Sequence, residues 1–246
     1  MAEPPRRHDD PVAIITGGGS GIGRASAVSL AGNGYRCVLV GRREDPLAQT
    51  SASLPTRGSH IALDITDPGA AETVVARALD QHGRIDLVVH AAGVFEKRDV
   101  GETDTEFWAD VLDLNLGAVM ELTRGAWSAL CDASGQVVLV SSIAAVQGFP
   151  GNAAYAASKG GMNALGEVLR LEGRDHGVRV LTVCPGQTDT DIWDGKVPSA
   201  VRARMMDPAS VGGLIATLVA LDRAIDIEPV VIRPQLDPWA VGSDEG

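Results

Sequence analysis

Ser142, Tyr155 and Lys159 are the residues whose types and spacing could do chemistry in this chain of 246 residues. They fall in the stretch Ser141 to Lys159, SSIAAVQGFPGNAAYAASK, which otherwise consists mostly of small residues. Tyr155 and Lys159 are four apart with no proline after Pro150, so a helix there projects both from one face, about one turn apart. A free tyrosine titrates near about 10 and is a poor proton donor or acceptor at neutral pH. A cation one turn away is expected to stabilise the phenolate and lower that value, each unit being worth roughly 1.4 kcal/mol. Ser142 follows the apolar run Val137 to Val140, which reads as a buried strand. Its hydroxyl should therefore emerge at a strand's carboxyl end, where open α/β sheets bind ligands. Tyrosine four residues before lysine also occurs on ordinary surface helices, so the rest of the chain must decide what the three groups are for.

The elements that would position them alternate. Val12 to Thr16 is a short apolar strand leading into GGGSGIG, followed by a helical pattern from Arg24 to Asn33 that ends at Gly34. Glycines allow a sharp turn and a close backbone approach to a pyrophosphate, and the free amides at a helix start attract its charge, so strand, glycines and helix in this order point to a dinucleotide. A second strand, Arg36 to Val40, ends in Gly41, Arg42 and Arg43, where many dinucleotide folds carry an acid for the ribose 2′-hydroxyl. Two guanidiniums there suit a 2′-phosphate instead, with Glu44 and Asp45 placed to neutralise them in part; a solvated loop is the alternative.

Further along come a weaker helix from Pro46 to Leu54, a strand from His60 to Leu63, and a helix from Gly69 to His82 with Asp67 and Pro68 as its start signal. Then follow a strand from Ile85 to Val89 and one helical pattern from Glu106 to Cys131. Asn115 lies inside that pattern, where it should face solvent or make a specific bond. Strands at Val137 to Ser141 and Val178 to Val183 flank a helix from Tyr155 to Asp175. A helix from Ala209 to Asp222, opened by Asp207 and Pro208, precedes a last strand from Glu228 to Ile232. This alternation implies one doubly wound parallel α/β sheet, residues 12–246, covered by helices on both faces, behind a flexible tail at residues 1–11.

Composition narrows the partners. With 21 basic and 32 acidic residues the formal charge is -11, which argues against nucleic acid and gives no attraction to anionic membranes, so an anionic ligand must be held locally. Cys37, Cys131 and Cys184 have neither metal nor redox spacing, and the polar opening MAEPPRRHDDP has no signal-peptide core. No run reaches membrane-spanning length without a charge or break, so the expected location is cytoplasmic. No HExxH, paired-Cys or GxSxG motif is present.

Together these pieces resemble the classical short-chain dehydrogenase/reductase family from about Val12 to Ile232. Its TGxxxGxG appears as Thr16, Gly17, Gly21 and Gly23, and its acidic adenine contact as Asp64. Its helix asparagine appears as Asn115, its serine as Ser142 thirteen residues before Tyr155, its YxxxK as Tyr155 and Lys159, and its PGxxxT as Pro185, Gly186 and Thr190. The resemblance implies a single-domain Rossmann fold with a seven-stranded parallel sheet. It also implies an enzyme that moves a hydride between C4 of a nicotinamide and a carbonyl or secondary alcohol carbon, most simply a reductase of ketones or 3-oxoacyl compounds. By the same resemblance Tyr155 is the general acid/base, Ser142 orients the substrate oxygen, Lys159 favours the phenolate and holds the nicotinamide ribose, and Asn115 binds a water that relays protons. The cofactor, NADP(H) preferred with NAD(H) possible, is expected on Gly17, Ser20, Gly21, Ile22, Gly23, Arg42, Arg43, Asp64, Ile65, Ala91, Gly93, Tyr155, Lys159, Pro185, Gly186, Thr188 and Thr190.

Two departures matter. The family's Asn-Asn-Ala-Gly reads His90-Ala91-Ala92-Gly93, which puts the sheet-bracing bonds of those asparagines in doubt, and the Gly-Gly ending of many carrier-protein reductases is absent. Residues 190–206, a substrate lid in the family, carry Trp193, Val197, Val201, Met205 and Met206, an apolar wall or ordinary packing. A small-molecule carbonyl or alcohol is the implied partner, with self-association as a homotetramer or homodimer through the helices carrying Asn115 and Tyr155. Gly160, Gly161, Ala164 and Gly166 suggest a close backbone neighbour there. A silent dinucleotide-binding regulator or structural subunit is the competing reading. An epimerase or dehydratase of the extended relatives fits less well, because little chain is left for their added substrate domain.

Overall fold

Seven short runs rich in valine, isoleucine and leucine become strands, and every one pairs in parallel with its neighbours. They are β1 (Val12–Thr16), β2 (Arg36–Gly41), β3 (Ser59–Ala62), β4 (Leu87–His90), β5 (Gln136–Val140), β6 (Arg179–Pro185) and β7 (Val230–Ile232). The order across the sheet is β3-β2-β1-β4-β5-β6-β7, so the chain winds outward in one direction from β1 and then in the other from β4, leaving a crevice at the carboxyl ends where the two directions part. The structure is a computed structural model that describes residues 10–56 and 58–240. The expected tail lies outside the described residues as far as residue 9, while Asp10 and Pro11 are tied to Arg36 through its side chain and its amide.

The helices between the strands are α1 (Gly21–Gly32), α2 (Glu44–Ser53), α3 (Ala70–His82), α4 (Thr105–Leu112), α5 (Ala118–Asp132), α6 (Ala153–Gly173), α7 (Ser199–Arg202) and α8 (Pro208–Ala220). Because side chains alternate along a strand, Val12 and Ile14 join one apolar cluster with residues of α3, α5 and α6. Ala13 and Ile15 join the other, with residues of α1 and α8. Both faces are therefore dry, as near-continuous apolar strands require. Helices α1 and α8 approach until a Cβ added at Gly212 would sit 2.5 Å from the backbone of Ala25. Cys37 lies inside this packing with its thiol on the Ala27 carbonyl, and burial pushes it up to about 12.

Several sequence expectations need correction. The pattern from Glu106 to Cys131 is interrupted by a π-helical turn at Asp113–Gly117, between α4 and α5. The start signal Asp67-Pro68 forms a turn ahead of α3, and Gly69, at φ 79, is the residue from which that helix leaves. Helix α2 starts at Glu44, with Pro46 in its first turn, and β4 begins at Leu87 and runs on through His90. At α8 the reading holds, with Asp207 accepting from the Ala209 amide and Pro208 in the first turn.

Candidate active site

Strand β5 ends in two serines that fasten it to α6. Ser141 Oγ donates to the carbonyl of Lys159 at 3.3 Å, and Lys159 Nζ donates to the carbonyl of Val140 at 2.8 Å, so the helix is held against the strand tip from both sides. Ser142 Oγ accepts from the Ala144 amide at 3.1 Å, and its hydroxyl acts to lower the titration of Tyr155. Tyr155 and Lys159 stand on one face of α6 as their spacing requires, with Nζ 5.8 Å from the phenol ring centroid. The electrostatics run opposite to the sequence expectation. Burial raises Tyr155 above its ordinary value, opposed only by the Ser142 hydroxyl, and burial lowers Lys159 to about 8. Both groups lose water, which disfavours a phenolate and an ammonium alike, and the ammonium spends a proton on a carbonyl.

Asn115 is fully buried inside the π-helical turn, so the solvated alternative does not apply. Its Oδ1 accepts from the Val94 amide at 2.9 Å, and Nδ2 donates to the Val94 carbonyl and to Ser158 Oγ, both at 3.1 Å. Ser158 in turn donates to the carbonyl of Tyr155 at 2.8 Å, so Asn115 links the segment after β4 to the helix that carries the tyrosine. A Cβ on Gly93 would lie 3.1 Å from Asn115 Oδ1 and 3.7 Å from Lys159 Nζ, which puts both polar atoms around one point beside the bare Gly93 backbone.

The glycine turn is built to let backbone meet backbone. A Cβ on Gly23 would sit 2.3 Å from the carbonyl oxygen of Gly17, and one on Gly17, at φ +68, would sit 3.0 Å from the Ala91 carbonyl. Gly21, at φ +50, has the methyl of Thr190 3.0 Å from its Cβ position, so Thr190 lies at the mouth of α1. Ser20 precedes the helix with no side-chain cap bond, so its hydroxyl does not satisfy the first amides of α1. The sheet bracing that asparagines provide in the resembling family is here supplied differently. Thr16 Oγ1 accepts from the amides of Ala91 and Ala92 at 3.1 Å each, and buried His90 Nε2 bonds Thr123 Oγ1 at 2.9 Å. Burial and the nearby Lys159 charge drop His90 to about 3, so it is neutral.

Arg42 and Arg43 are exposed, and their partners are not Glu44 and Asp45. Arg42 faces Asp64 at 3.9 Å and Arg43 reaches Asp191 at 3.5 Å, while Glu44 pairs with His60. Asp64 accepts from the amide and hydroxyl of Thr66, and these bonds hold its carboxyl below the usual range despite partial burial; Ile65 next to it is packed in the core. Pro185 ends β6, Gly186 donates to the Ile232 carbonyl, and Thr188 Oγ1 donates to the Gly186 carbonyl. Arg42, Arg43, Asp64, Ala91, Gly93, Ser142 and Pro185 to Thr190 thus lie at or just beyond the carboxyl ends of strands, while Asn115, Tyr155 and Lys159 come from helical segments.

Residues 190–206 fold over this crevice. Their base is closed by backbone bonds between Met206 and both Gln187 and Asp189, and Arg202 grips Asp189, Asp194 and the Thr190 carbonyl. Val201 and Met205 pack inward, so part of the expected wall is core. Sequence reasoning missed Phe95, whose ring contacts Tyr155 at 5.1 Å and Trp193 at 5.3 Å, and Trp239, 6.1 Å from Trp193. Their scarcity in a chain that is 4 % aromatic was the available signal. Among the described residues no cluster suits a metal ion, and no helix is long and apolar enough to cross a membrane.

Comparison with known proteins agrees with the geometry. A family profile described as short chain dehydrogenase matches residues 11–200. A 3beta-hydroxysteroid dehydrogenase of Mediterraneibacter gnavus is 30% identical over 210 residues, covering 84% of this chain and 76% of that protein. The 3-oxoacyl-[acyl-carrier-protein] reductase of Escherichia coli is 30% identical over 182 residues, 74% of this chain and 75% of its own. An alcohol dehydrogenase from the archaeon Thermococcus sibiricus, solved with 5-hydroxy-NADP, superposes with a TM-score of 0.85 at 24% identity, over 92% of this chain and 97% of that one.

Proposed function

Because the chain belongs to the short chain dehydrogenase family, whose members are oxidoreductases acting between alcohol and carbonyl, we propose that it reduces a ketone or 3-oxoacyl compound with a nicotinamide dinucleotide. The observation that carries this reading is Tyr155 and Lys159 on one face of α6, Nζ 5.8 Å from the phenol ring centroid, beside a glycine cradle at the strand ends. The cradle fits such a cofactor: side chains are excluded where backbone must close up at Gly17 and Gly23, and the amides opening α1 suit a pyrophosphate. A bound nicotinamide supplies the hydride donor or acceptor at its C4.

The residues of this chain handle position and protons. Tyr155, held protonated well above neutral pH, gives its proton to the substrate oxygen as negative charge develops there, and Ser142 orients that oxygen by hydrogen bonding. Lys159 keeps N–H donors beyond the one on Val140 for a ribose hydroxyl, and Asn115, fixed beside Gly93, holds a water near the ammonium for proton return. Gly186, Thr188 and Thr190 shape the nicotinamide end, and Asp64 and Ile65 the adenine end. NADP(H) is preferred over NAD(H) because Arg42 and Arg43 exchange weak, exposed carboxylate partners for a 2′-phosphate. A cytoplasmic location and a homotetramer or homodimer through α5 and α6 complete the reading.

The test is NADPH oxidation with a panel of ketones, quinones and 3-oxoacyl thioesters, and cofactor reduction with secondary alcohols. Tyr155→Phe is expected to abolish turnover while leaving the NADPH dissociation constant nearly unchanged. Near-normal turnover in that variant ends the mechanism, and tight cofactor binding with no turnover of any compound favours the silent dinucleotide-binding subunit.

A further inference from the structure

Of the chain's three phenylalanines, two tyrosines and four tryptophans, four stand in one row that begins at the proton donor. Phe95 meets Tyr155 with ring centroids 5.1 Å apart and planes at 67°, Trp193 meets Phe95 at 5.3 Å and 57°, and Trp239 meets Trp193 at 6.1 Å and 70°. Three separate segments send these rings to one place: the loop after β4, residues 190–206, and the chain after β7. Lys196 Nζ, donating to the Phe95 carbonyl at 2.6 Å, fastens the second segment to the first. Rings recruited only to hold the fold would be enclosed. Phe95 and Trp193 instead stay partly exposed, and Trp239 keeps 52 % of its surface. A compound that brings a carbonyl to Tyr155 has to lay whatever adjoins that carbonyl along this row.

We infer that the substrate is an aryl ketone, or the corresponding secondary alcohol, with its ring set edge-on or offset against Phe95 and Trp193. The inference rests on the oxidoreductase reading above. In reduction the carbonyl carbon gains a hydride from NADPH, the carbonyl π pair becomes an O–H bond with the proton of Tyr155, and the cofactor leaves oxidised as NADP⁺. An aromatic ring gains from edge and offset contacts that a saturated ring of equal size or a flexible acyl chain does not, on the order of 2- to 10-fold for each aromatic contact.

The experiment compares acetophenone with cyclohexyl methyl ketone, which has a similar shape without the π system, and with butan-2-one and an acetoacetyl thioester. Intrinsic reactivity cancels when the ratio of kcat/KM values is followed from the wild type to Phe95→Leu, Trp193→Leu and Trp239→Leu. The expected result is an acetophenone-to-cyclohexyl ratio that falls about 2- to 10-fold in Trp193→Leu and Phe95→Leu, mainly through KM. Trp193→Phe should restore it, and the NADPH dissociation constant should not move. Quenching of tryptophan fluorescence by acetophenone, measured without turnover, should weaken in Trp193→Leu. Equal losses for all ketones, or an unchanged ratio in both variants, overturn the inference while leaving the oxidoreductase intact. No turnover of any carbonyl compound by the wild type overturns that reading as well.

Discussion

Tyr155 retains its proton through the neutral range because burial outweighs the lowering by Ser142, so under the proposed function it starts as an acid rather than as a resting phenolate. The arginines at the end of β2 have exposed acidic neighbours at 3.9 and 3.5 Å, weak contacts that a phosphate can replace. Arg42→Asp should therefore weaken NADP about tenfold or more and leave NAD nearly unaffected; dissociation constants for both cofactors decide it, and an unchanged ratio means that the arginines touch no phosphate. His90 makes a second residue-level prediction. Its folded value of about 3 lies below the ordinary 6.5, so the unfolded chain binds the extra proton, and stability present above pH 6.5 is lost as pH falls toward 3. Between pH 6.5 and 4.5 this amounts to about 2 kcal/mol. Thermal melts should fall more steeply with acid in the wild type than in His90→Asn. His82, also lowered by burial, is common to both proteins and drops out of the difference.

At the scale of elements, small residues set the distances. Gly161 faces Leu116 with a Cβ position 2.8 Å from its side chain, and Gly166 faces Thr182 Oγ1 at 2.7 Å. Two of the α6 glycines, Gly161 and Gly166, are thus explained within the chain, whereas a Cβ on Gly160 would meet nothing nearer than the Ala145 carbonyl at 4.0 Å. The close pair is instead α1 with α8. Gly212→Ala drives a methyl to within 2.5 Å of the Ala25 backbone, which has no flexible end to yield. The expected cost is about 1–3 kcal/mol, seen as a melting temperature lower by several degrees in the cofactor-free protein. An unchanged melt would mean that the two helices can slide apart freely.

At the scale of the whole molecule, the proposed self-association would draw on exposed apolar side chains. Met120 on α5, with Val168 and Leu171 on α6, are 42, 49 and 50 % exposed and are the apolar side chains those helices offer to a second copy. Light scattering at micromolar concentration should return two or four times the mass of the 25.5 kDa chain, and a monomer refutes the assembly.

Periodicity and punctuation were enough to place the seven strands, the six longer helices and the parallel winding. A strand apolar along its whole length, or a helix closed by glycine, is dictated by neighbours in the chain. The spacings of Gly17, Gly21 and Gly23 and of Tyr155 and Lys159 were legible for the same reason, since each set lies within one turn or one element, while Ser142 sits thirteen residues before Tyr155 on a separate segment. What the sequence could not decide depends on partners distant along the chain. The π-helical turn that buries Asn115 answers to Val94 and Ser158, and the pairing of Arg43 with Asp191 spans 148 positions. The reversed titration of Tyr155 and Lys159 comes from how much water the surrounding elements remove. The row from Tyr155 to Trp239 exists only because three loops meet over the strand ends, and desolvation and ring contact of that kind are properties of packing, which tertiary structure alone supplies.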